Sequence, residues 1–160
     1  MKTAYKLEFY KSSESFSESG FIPMRSFHWE SEPAFRPDVF FKMGVVAEEL
    51  HCIIKCYEEN PRAVYTERDG AIYEDSCLEF FFAPIEGRDE YINIETNSNG
   101  VFLSEFGSGK YERRLLSSIT ELLPSVEAFF GSDSKGSFWG VYLKITKEFL
   151  ASVYNISSDL

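Results

Sequence analysis

Polar side chains recur at every second position in the stretch YINIETN, which runs from Tyr91 to Asn97. Successive side chains of a β-strand point to opposite faces, so a strand here would separate these polar groups from Ile92 and Ile94. The polar face would consist of one ring, two amides and one carboxylate, namely Tyr91, Asn93, Glu95 and Asn97. Amides and carboxylates offer paired donors and acceptors that match adjacent hydroxyl groups. The row therefore suits recognition of a polyhydroxylated ligand, although one face of an open sheet can also be polar because it meets water.

A further acidic position lies in the preceding run, DSCLEFFFAP, where Glu79 interrupts a series of apolar residues. A charge turned inward from such a strand requires a partner, so we expect Glu79 at the floor of a cleft or paired with an arginine. The candidate partners are Arg62, Arg68, Arg113 and Arg114. Asp75 stands just before the run. It could accept ligand hydroxyl groups, bind calcium, or cap backbone N–H groups where a loop meets a strand.

Short alternating runs separated by turn residues predict an all-β fold, an antiparallel β-sandwich of the immunoglobulin-like or jelly-roll-like kind. The predicted strands cover residues 4–10, 39–46, 50–57, 76–83, 91–97, 101–106, 126–130 and 138–145. A short C-terminal helix is predicted for residues 146–154, with Thr146 as its N-cap. The Ser/Glu-rich stretch SSESFSESG, residues 12–20, is predicted as a loop. For residues 113–123 a strand and a short helix both stay open.

Two hairpins should bring the acidic and polar positions together. We expect them at residues 85–90 and 97–100, and the Asn99-Gly100 pair favours a two-residue turn with positive φ. Cross-strand pairing would then place Glu79 beside Asn93 and Glu95. The opposite faces of the strands would form the core, which we predict to contain Leu78, Phe80, Phe82, Ile92, Ile94, Leu143 and Ile145.

Composition limits the possible partners. The chain has 160 residues, an ordinary size for one domain, and we treat residues 1–160 as a single domain. The net charge of −10 argues against a nucleic-acid surface, which needs clustered Lys and Arg. The N-terminus carries no apolar signal core, and no stretch is long and apolar enough to span a membrane. We therefore expect an intracellular, cytoplasmic protein whose partners include neither nucleic acid nor membrane; its oligomeric state stays open.

The cysteines are predicted to be free thiols. Cys52 and Cys56 lie four residues apart in a strand-like run, too far apart along it for an unstrained disulfide. Neither histidine stands at metal-ligand spacing from a cysteine. We therefore predict that Cys52, Cys56 and Cys77 are buried, reduced thiols.

The order DSC-x-EFF, from Asp75 to Phe81, followed by Y-x-N-x-E-x-N-x-x-G, from Tyr91 to Gly100, resembles the signature of the carbohydrate-binding family 9-like domains. These domains are related to a xylanase-associated sugar-binding module and, more distantly, to DOMON domains. Trp29, the stretch EENPRAVY, an arginine pair at 113–114 and Trp139 fit the same order. The resemblance covers roughly residues 29–150, and the family pattern continues with further strands past residue 160. We expect Trp139 in the core and Trp29 either in the core or in a cleft wall.

The resemblance implies non-catalytic binding of a sugar or an oligosaccharide end, with a role in carbohydrate catabolism and xylan as one polymer. The implied ligand-binding residues are Tyr73, Asp75, Glu79, Tyr91, Asn93, Glu95, Arg113 and Arg114. The related module holds its ligand between two Trp. Tyr73 takes the place of the first, and the second belongs to the region past residue 160. No cofactor is implied, and a structural calcium ion is left open.

Two other classes of function stay open. A glycoside hydrolase of the endoxylanase kind needs two carboxylates at a defined separation, and Asp75, Glu79 and Glu95 could supply them. A Ser–His–Asp arrangement has only His28 and His51 to use, and no nucleophile elbow is present. A structural or partner-binding β-sandwich is the other alternative.

Overall fold

The computed structural model describes residues 5–25 and 36–157, so Trp29 and His28 lie outside the described residues. Two β-sheets face each other across a shared apolar core. The elements in chain order are β1 (Glu8–Tyr10), α1 (Ser13–Ser17), β2 (Ile22–Pro23), β3 (Val39–Val46), β4 (Glu49–Cys56), β5 (Cys77–Phe82), β6 (Tyr91–Asn97), β7 (Phe102–Gly107), β8 (Arg114–Leu115), β9 (Ser125–Asp133), β10 (Gly136–Ile145) and α2 (Lys147–Tyr154). No helix within the described ranges has the length and apolar content needed to cross a membrane.

The first sheet has the order β1-β3-β4-β10-β9, with β2 added beside β3, and the second has the order β5-β6-β7-β8. Every pair of strands is antiparallel except β1 with β3, which is parallel. The predicted β-sandwich with a short C-terminal helix is therefore confirmed. The helix α2 begins as predicted, because the side chain of Thr146 accepts a hydrogen bond from the backbone N–H of Phe149 at 3.1 Å.

The structure corrects one local prediction and decides one segment that was left open. The Ser/Glu-rich stretch predicted as a loop contains α1, because Ser12 and Ser15 form a reciprocal capping box and Phe16 is buried beside it. Within the segment that was left open, β8 is followed by a single 3-10 turn at Leu116–Ser118.

The core forms between the inner faces of the two sheets. Of the seven residues predicted for it, Leu78, Phe80, Ile92, Ile94, Leu143 and Ile145 are buried, and Phe82 is partly buried at its edge. Trp139 is buried as predicted, and its Nε1 donates to Glu58 Oε2 at 2.9 Å. The predicted free thiols are also confirmed: Cys52 and Cys56 are buried in this core and Cys77 is partly buried on the other face of its sheet.

The hairpin between β6 and β7 sets the register of the second sheet. Gly100 has a φ of 76° and donates its N–H to the carbonyl of Asn97 at 3.0 Å. Positive φ in this turn is confined to Gly100, so the connection is a three-residue loop rather than the predicted two-residue one. The register that we predicted nevertheless holds, and Glu79 stands directly opposite Glu95.

A buried carboxylate holds the connection between the sheets in place. Asp75 accepts hydrogen bonds from the backbone N–H groups of Val64 and Tyr65 and from Asn97 Nδ2, at 2.9, 3.1 and 2.9 Å. Burial alone would raise the pKa of Asp75, but these hydrogen bonds and the charge of Arg62 outweigh it and lower the pKa. Both carboxylate oxygens of Asp75 thus accept hydrogen bonds from within the protein. This corresponds to the capping alternative raised from the sequence.

We predict that Phe80→Ala lowers the free energy of unfolding by about 3–5 kcal/mol, because it empties a site that is 4% exposed. Phe81→Ala is the matched control: its ring belongs to the same strand, is 56% exposed and should cost far less. Chemical denaturation measures both. Equal losses would mean that the two faces of β5 are wrongly assigned.

We also predict that Asp75→Asn lowers the free energy of unfolding at neutral pH by about 1–3 kcal/mol, because an amide NH2 replaces a buried acceptor. The stabilisation from a lowered folded-state pKa is present above the unfolded value of about 3.9 and disappears as the pH falls towards the folded value. The wild type should therefore lose stability more steeply than the variant below about pH 4. Asp89→Asn, at an exposed position, is the control and should behave as the wild type.

Candidate functional site

The outer face of the second sheet carries a cleft of about 590 Å³. Strands β6 and β7 form its base, the edge strand β5 and the 3-10 turn at Ile72–Glu74 contribute one side, and the segment between β7 and β8 contributes another. The polar row of β6 lies on this face, because Ile92 and Ile94 occupy the core face of the same strand. The alternation read from the sequence thus places the polar row on the cleft side.

A continuous polar chain forms the floor. Asn93 Nδ2 donates to Glu95 Oε1 at 2.7 Å and contacts Glu105 Oε2 at 3.4 Å. Glu105 Oε2 in turn accepts from Arg113 Nη2 at 3.1 Å. Asn93 is fully buried and Glu95 is 6% exposed. The guanidinium of Arg113 also lies 5.8 Å from the ring centroid of Tyr91, within reach of a cation–π contact. The floor is therefore charged and linked by internal hydrogen bonds.

Three polar atoms of this floor have no hydrogen-bond partner within the described part of the chain. They are Asn93 Oδ1, Glu95 Oε2 and Arg113 Nε, and each is buried. Buried polar groups in native proteins are almost always hydrogen-bonded. Two acceptors and one donor left without partners in one cleft indicate that a ligand or water completes them.

Glu79 lies in the wall of the cleft rather than at its floor. Its side chain is exposed, although the neighbouring side chains of the cleft remove part of its contact with water. This partial desolvation, followed by the negative charge of Glu95, raises the pKa of Glu79, and the positive charges of Arg113 and Lys110 oppose the shift. The floor that we predicted for Glu79 is formed instead by Glu95 and Asn93, because Glu79 belongs to β5, at the edge of the sheet.

Exposed rings surround the charged floor. Tyr73 and Tyr111 are 60% and 92% exposed, and both line the cleft. Phe81 lines it as well and packs against Tyr91, with ring centroids 6.0 Å apart. Large exposed rings around one concavity are typical of binding surfaces.

Of the predicted site residues, the cleft brings together Tyr73, Glu79, Tyr91, Glu95 and Arg113, with Asn93 beneath them. Two lie elsewhere. Asp75 is occupied by backbone N–H groups, as described above, and does not line the cleft. Arg114 pairs in register with Phe106 and is exposed outside the lining, because successive residues of β8 point to opposite sides.

Sequence reasoning missed Phe81, Glu105, Lys110 and Tyr111, which also line the cleft. Phe81 shares a face with Glu79, two residues away, so alternation could have identified it. Glu105 stands opposite Asn93. The predicted hairpin at Gly100 implies this pairing, so the sequence could have identified Glu105. Lys110 and Tyr111 belong to the irregular stretch GSGKYERR, where no periodic pattern gives a signal.

The described residues hold one cluster with metal-ligating atoms, formed by Cys77, Glu79 and Glu95 within 4.8 Å of one another. Calcium requires six to eight oxygen ligands, which two carboxylates and a thiol do not provide. Burial and then the charges of Glu79 and Glu95 raise the pKa of Cys77, so this thiol stays protonated. Asp75 offers no calcium ligand either, because its oxygens accept N–H groups.

His51 lies on the first sheet, away from the cleft. Its ring contacts Tyr142 and Glu49 by hydrogen bonds, and its pairing strand carries no serine beside it. This arrangement gives no support to the Ser–His–Asp alternative.

No curated protein matches the chain. A crystal structure of a candidate carbohydrate-binding protein from Bacteroides uniformis superimposes with a TM-score of 0.70, covering 94% of this chain and 74% of that one. The two chains are 22% identical, so the likeness shows a shared fold. The family model of carbohydrate-binding family 9 matches residues 9–134, which include every strand of the second sheet. The chain belongs to carbohydrate-binding family 9.

Proposed function

We propose that this protein is a non-catalytic carbohydrate-binding module whose ligand occupies the cleft on the outer face of β5, β6 and β7. The observation that carries the proposal is the set of three buried polar atoms without partners beneath exposed rings. A sugar offers hydroxyl groups that donate and accept hydrogen bonds, together with C–H faces that pack on rings. Family membership supports the same class of ligand.

The proposed complex assigns each part of the cleft a role. Sugar hydroxyl groups donate to Asn93 Oδ1 and Glu95 Oε2, while Arg113 Nε donates to a sugar oxygen. Tyr73 and Tyr111 supply the ring contacts, because neither is held by the core. The cleft volume of about 590 Å³ lies in the range of small-molecule sites and suits a sugar or the end of an oligosaccharide.

We expect weak binding, with a free energy of about −4 to −8 kcal/mol, corresponding to millimolar to micromolar dissociation constants. The rings that line the cleft are those of Tyr and Phe, and none is an indole, so each offers a smaller flat surface to a sugar than a Trp would. We further propose a role in carbohydrate catabolism, with xylan as one source of the ligand. This role rests on the family resemblance.

One observation keeps a glycoside hydrolase as the second candidate function. Carboxylate oxygens of Glu79 and Glu95 lie within 4.8 Å of each other, near the separation of about 5–5.5 Å found in retaining glycosidases. The raised pKa of Glu79 is also a property of a general acid. Glu95, however, is buried and hydrogen-bonded to Asn93, which suits a fixed binding group better than a nucleophile that must reach a sugar carbon.

Tyr111→Ala should weaken binding of xylo- or cello-oligosaccharides by about two- to tenfold, the equivalent of about 0.5–1.5 kcal/mol for a lost ring contact. Stability should not change, because the ring is 92% exposed. Isothermal titration calorimetry over a panel of mono- and oligosaccharides measures the effect. Phe130→Ala, an exposed ring on the other sheet, is the control. Absence of saccharide binding by the wild type would refute the proposed function.

Glu79→Gln should weaken sugar binding and, at neutral pH, make the protein more stable. Because its folded-state pKa is raised, stability falls as the pH rises from about 4.3 through the folded value. The neutral side chain also removes the repulsion from Glu95, which stands directly opposite. Thermal unfolding from about pH 4 to pH 8 should show the difference growing with pH.

The same samples separate the two candidate functions. Release of reducing ends by the wild type, abolished in Glu79→Gln, would replace the binding module by a hydrolase. If Glu79→Gln instead lost stability at neutral pH, the charge of Glu79 would be a structural requirement of the fold rather than part of a ligand site.

A further inference from the structure

The cleft contains two acidic side chains that form no ion pair with a cation among the described residues, although Lys110 and Arg113 line the same cleft. Glu79 and Glu95 stand directly opposite each other on β5 and β6, with carboxylate oxygens within 4.8 Å. Like charges at such positions destabilise a sheet. Arg113 is paired with Glu105 at 3.1 Å, and among the described residues Lys110 acts on Glu79 through its charge without forming an ion pair. The arrangement therefore retains a repulsion that a bound cation would relieve.

The buried member of the pair also has an unused oxygen. Glu95 is 6% exposed; its Oε1 accepts from Asn93, and its Oε2 has no partner within residues 5–25 and 36–157. Asn93 Oδ1, on the same strand face, is a second buried acceptor without a partner. Both atoms require a donor, and the neighbouring negative charges favour a donor that carries positive charge.

We propose, on the basis of the function proposed above, that the cleft prefers saccharides bearing a free primary ammonium group, which binds between Glu79 and Glu95. An ammonium has three donors and no acceptor. It can therefore serve Glu79, Glu95 Oε2 and one further acceptor at once. Charge-assisted N–H···O contacts of about 2.7–2.9 Å allow one nitrogen to bridge carboxylate oxygens at the observed separation.

A divalent metal ion fits these residues less well. The third group of the cluster is the Cys77 thiol, which would have to lose its proton although the surrounding carboxylates disfavour the thiolate. Lys110 and Arg113 also face the cleft and would repel a doubly charged ion more strongly than an ammonium. The ammonium needs no change of protonation at Cys77.

Calorimetry with glucose, glucosamine and N-acetylglucosamine at about pH 6, where the free amine is protonated, tests the inference. Glucosamine should bind about tenfold more tightly than glucose, because neutral contacts become charge-assisted ones. N-Acetylglucosamine has a substituent at the same position without the charge, so it should bind no more tightly than glucose. In Glu79→Gln the glucosamine-to-glucose ratio should fall towards one. Glu14→Gln, which removes one charge from α1 on the other sheet, should leave the ratio unchanged.

The possible failures are distinguishable. Equal binding of glucose and glucosamine by the wild type would overturn this inference and leave the proposed function standing, whereas no binding of any sugar would remove both. A ratio that survives Glu79→Gln would also overturn it. Saturable binding of Zn²⁺ without sugar, lost in Glu79→Gln and unaffected by glucosamine, would assign the carboxylate pair to a metal instead. Circular dichroism of each variant shows that it is folded.

Discussion

The pairing of β6 with its two neighbours is the constraint on which the core and the cleft both depend. Side chains alternate along a strand, so one register places Ile92 and Ile94 in the core and Asn93 and Glu95 in the cleft. A shift by one residue would bury the polar row between the sheets and expose the apolar one. The cost of burying a carboxylate without a partner makes that alternative prohibitive. Packing of the core therefore fixes the geometry of the cleft face.

The cleft carries an electrostatic cost that the rest of the fold must offset. Glu79 faces Glu95 across the strands, and three buried polar atoms have no partner among the described residues. Such features are common at functional sites, where groups are arranged for a ligand rather than for the folded state alone. The salt bridge between Arg113 and Glu105 neutralises one carboxylate and leaves the other two available. The cleft thus combines one ion-paired carboxylate with buried polar atoms that have no partner among the described residues.

Asp75 shows that two acids of one motif can have very different surroundings. It belongs to the same run as Glu79, but its carboxylate is occupied by Val64, Tyr65 and Asn97. Asn97, the last residue of the polar row of β6, donates from Nδ2 to Asp75, and its Oδ1 accepts from the backbone N–H of Val101 after the turn at Gly100. These contacts hold the connection between the sheets against the edge of the cleft. The Asp75 carboxylate and the Asn97 amide are therefore both occupied by hydrogen bonds within the protein.

The sequence by itself determined the sandwich, the strand faces, the cap at Thr146 and the polar row, because local alternation and turn chemistry encode these features directly. Tertiary structure decided which polar residues meet. Asp75 and Glu79 are both acids in one motif, yet only packing made one a buried anchor and the other a cleft wall. Tyr111 enters the site from an irregular segment that no periodicity describes. The physical reason is that burial and long-range hydrogen bonds depend on the arrangement of distant strands, which alternation within one strand does not specify.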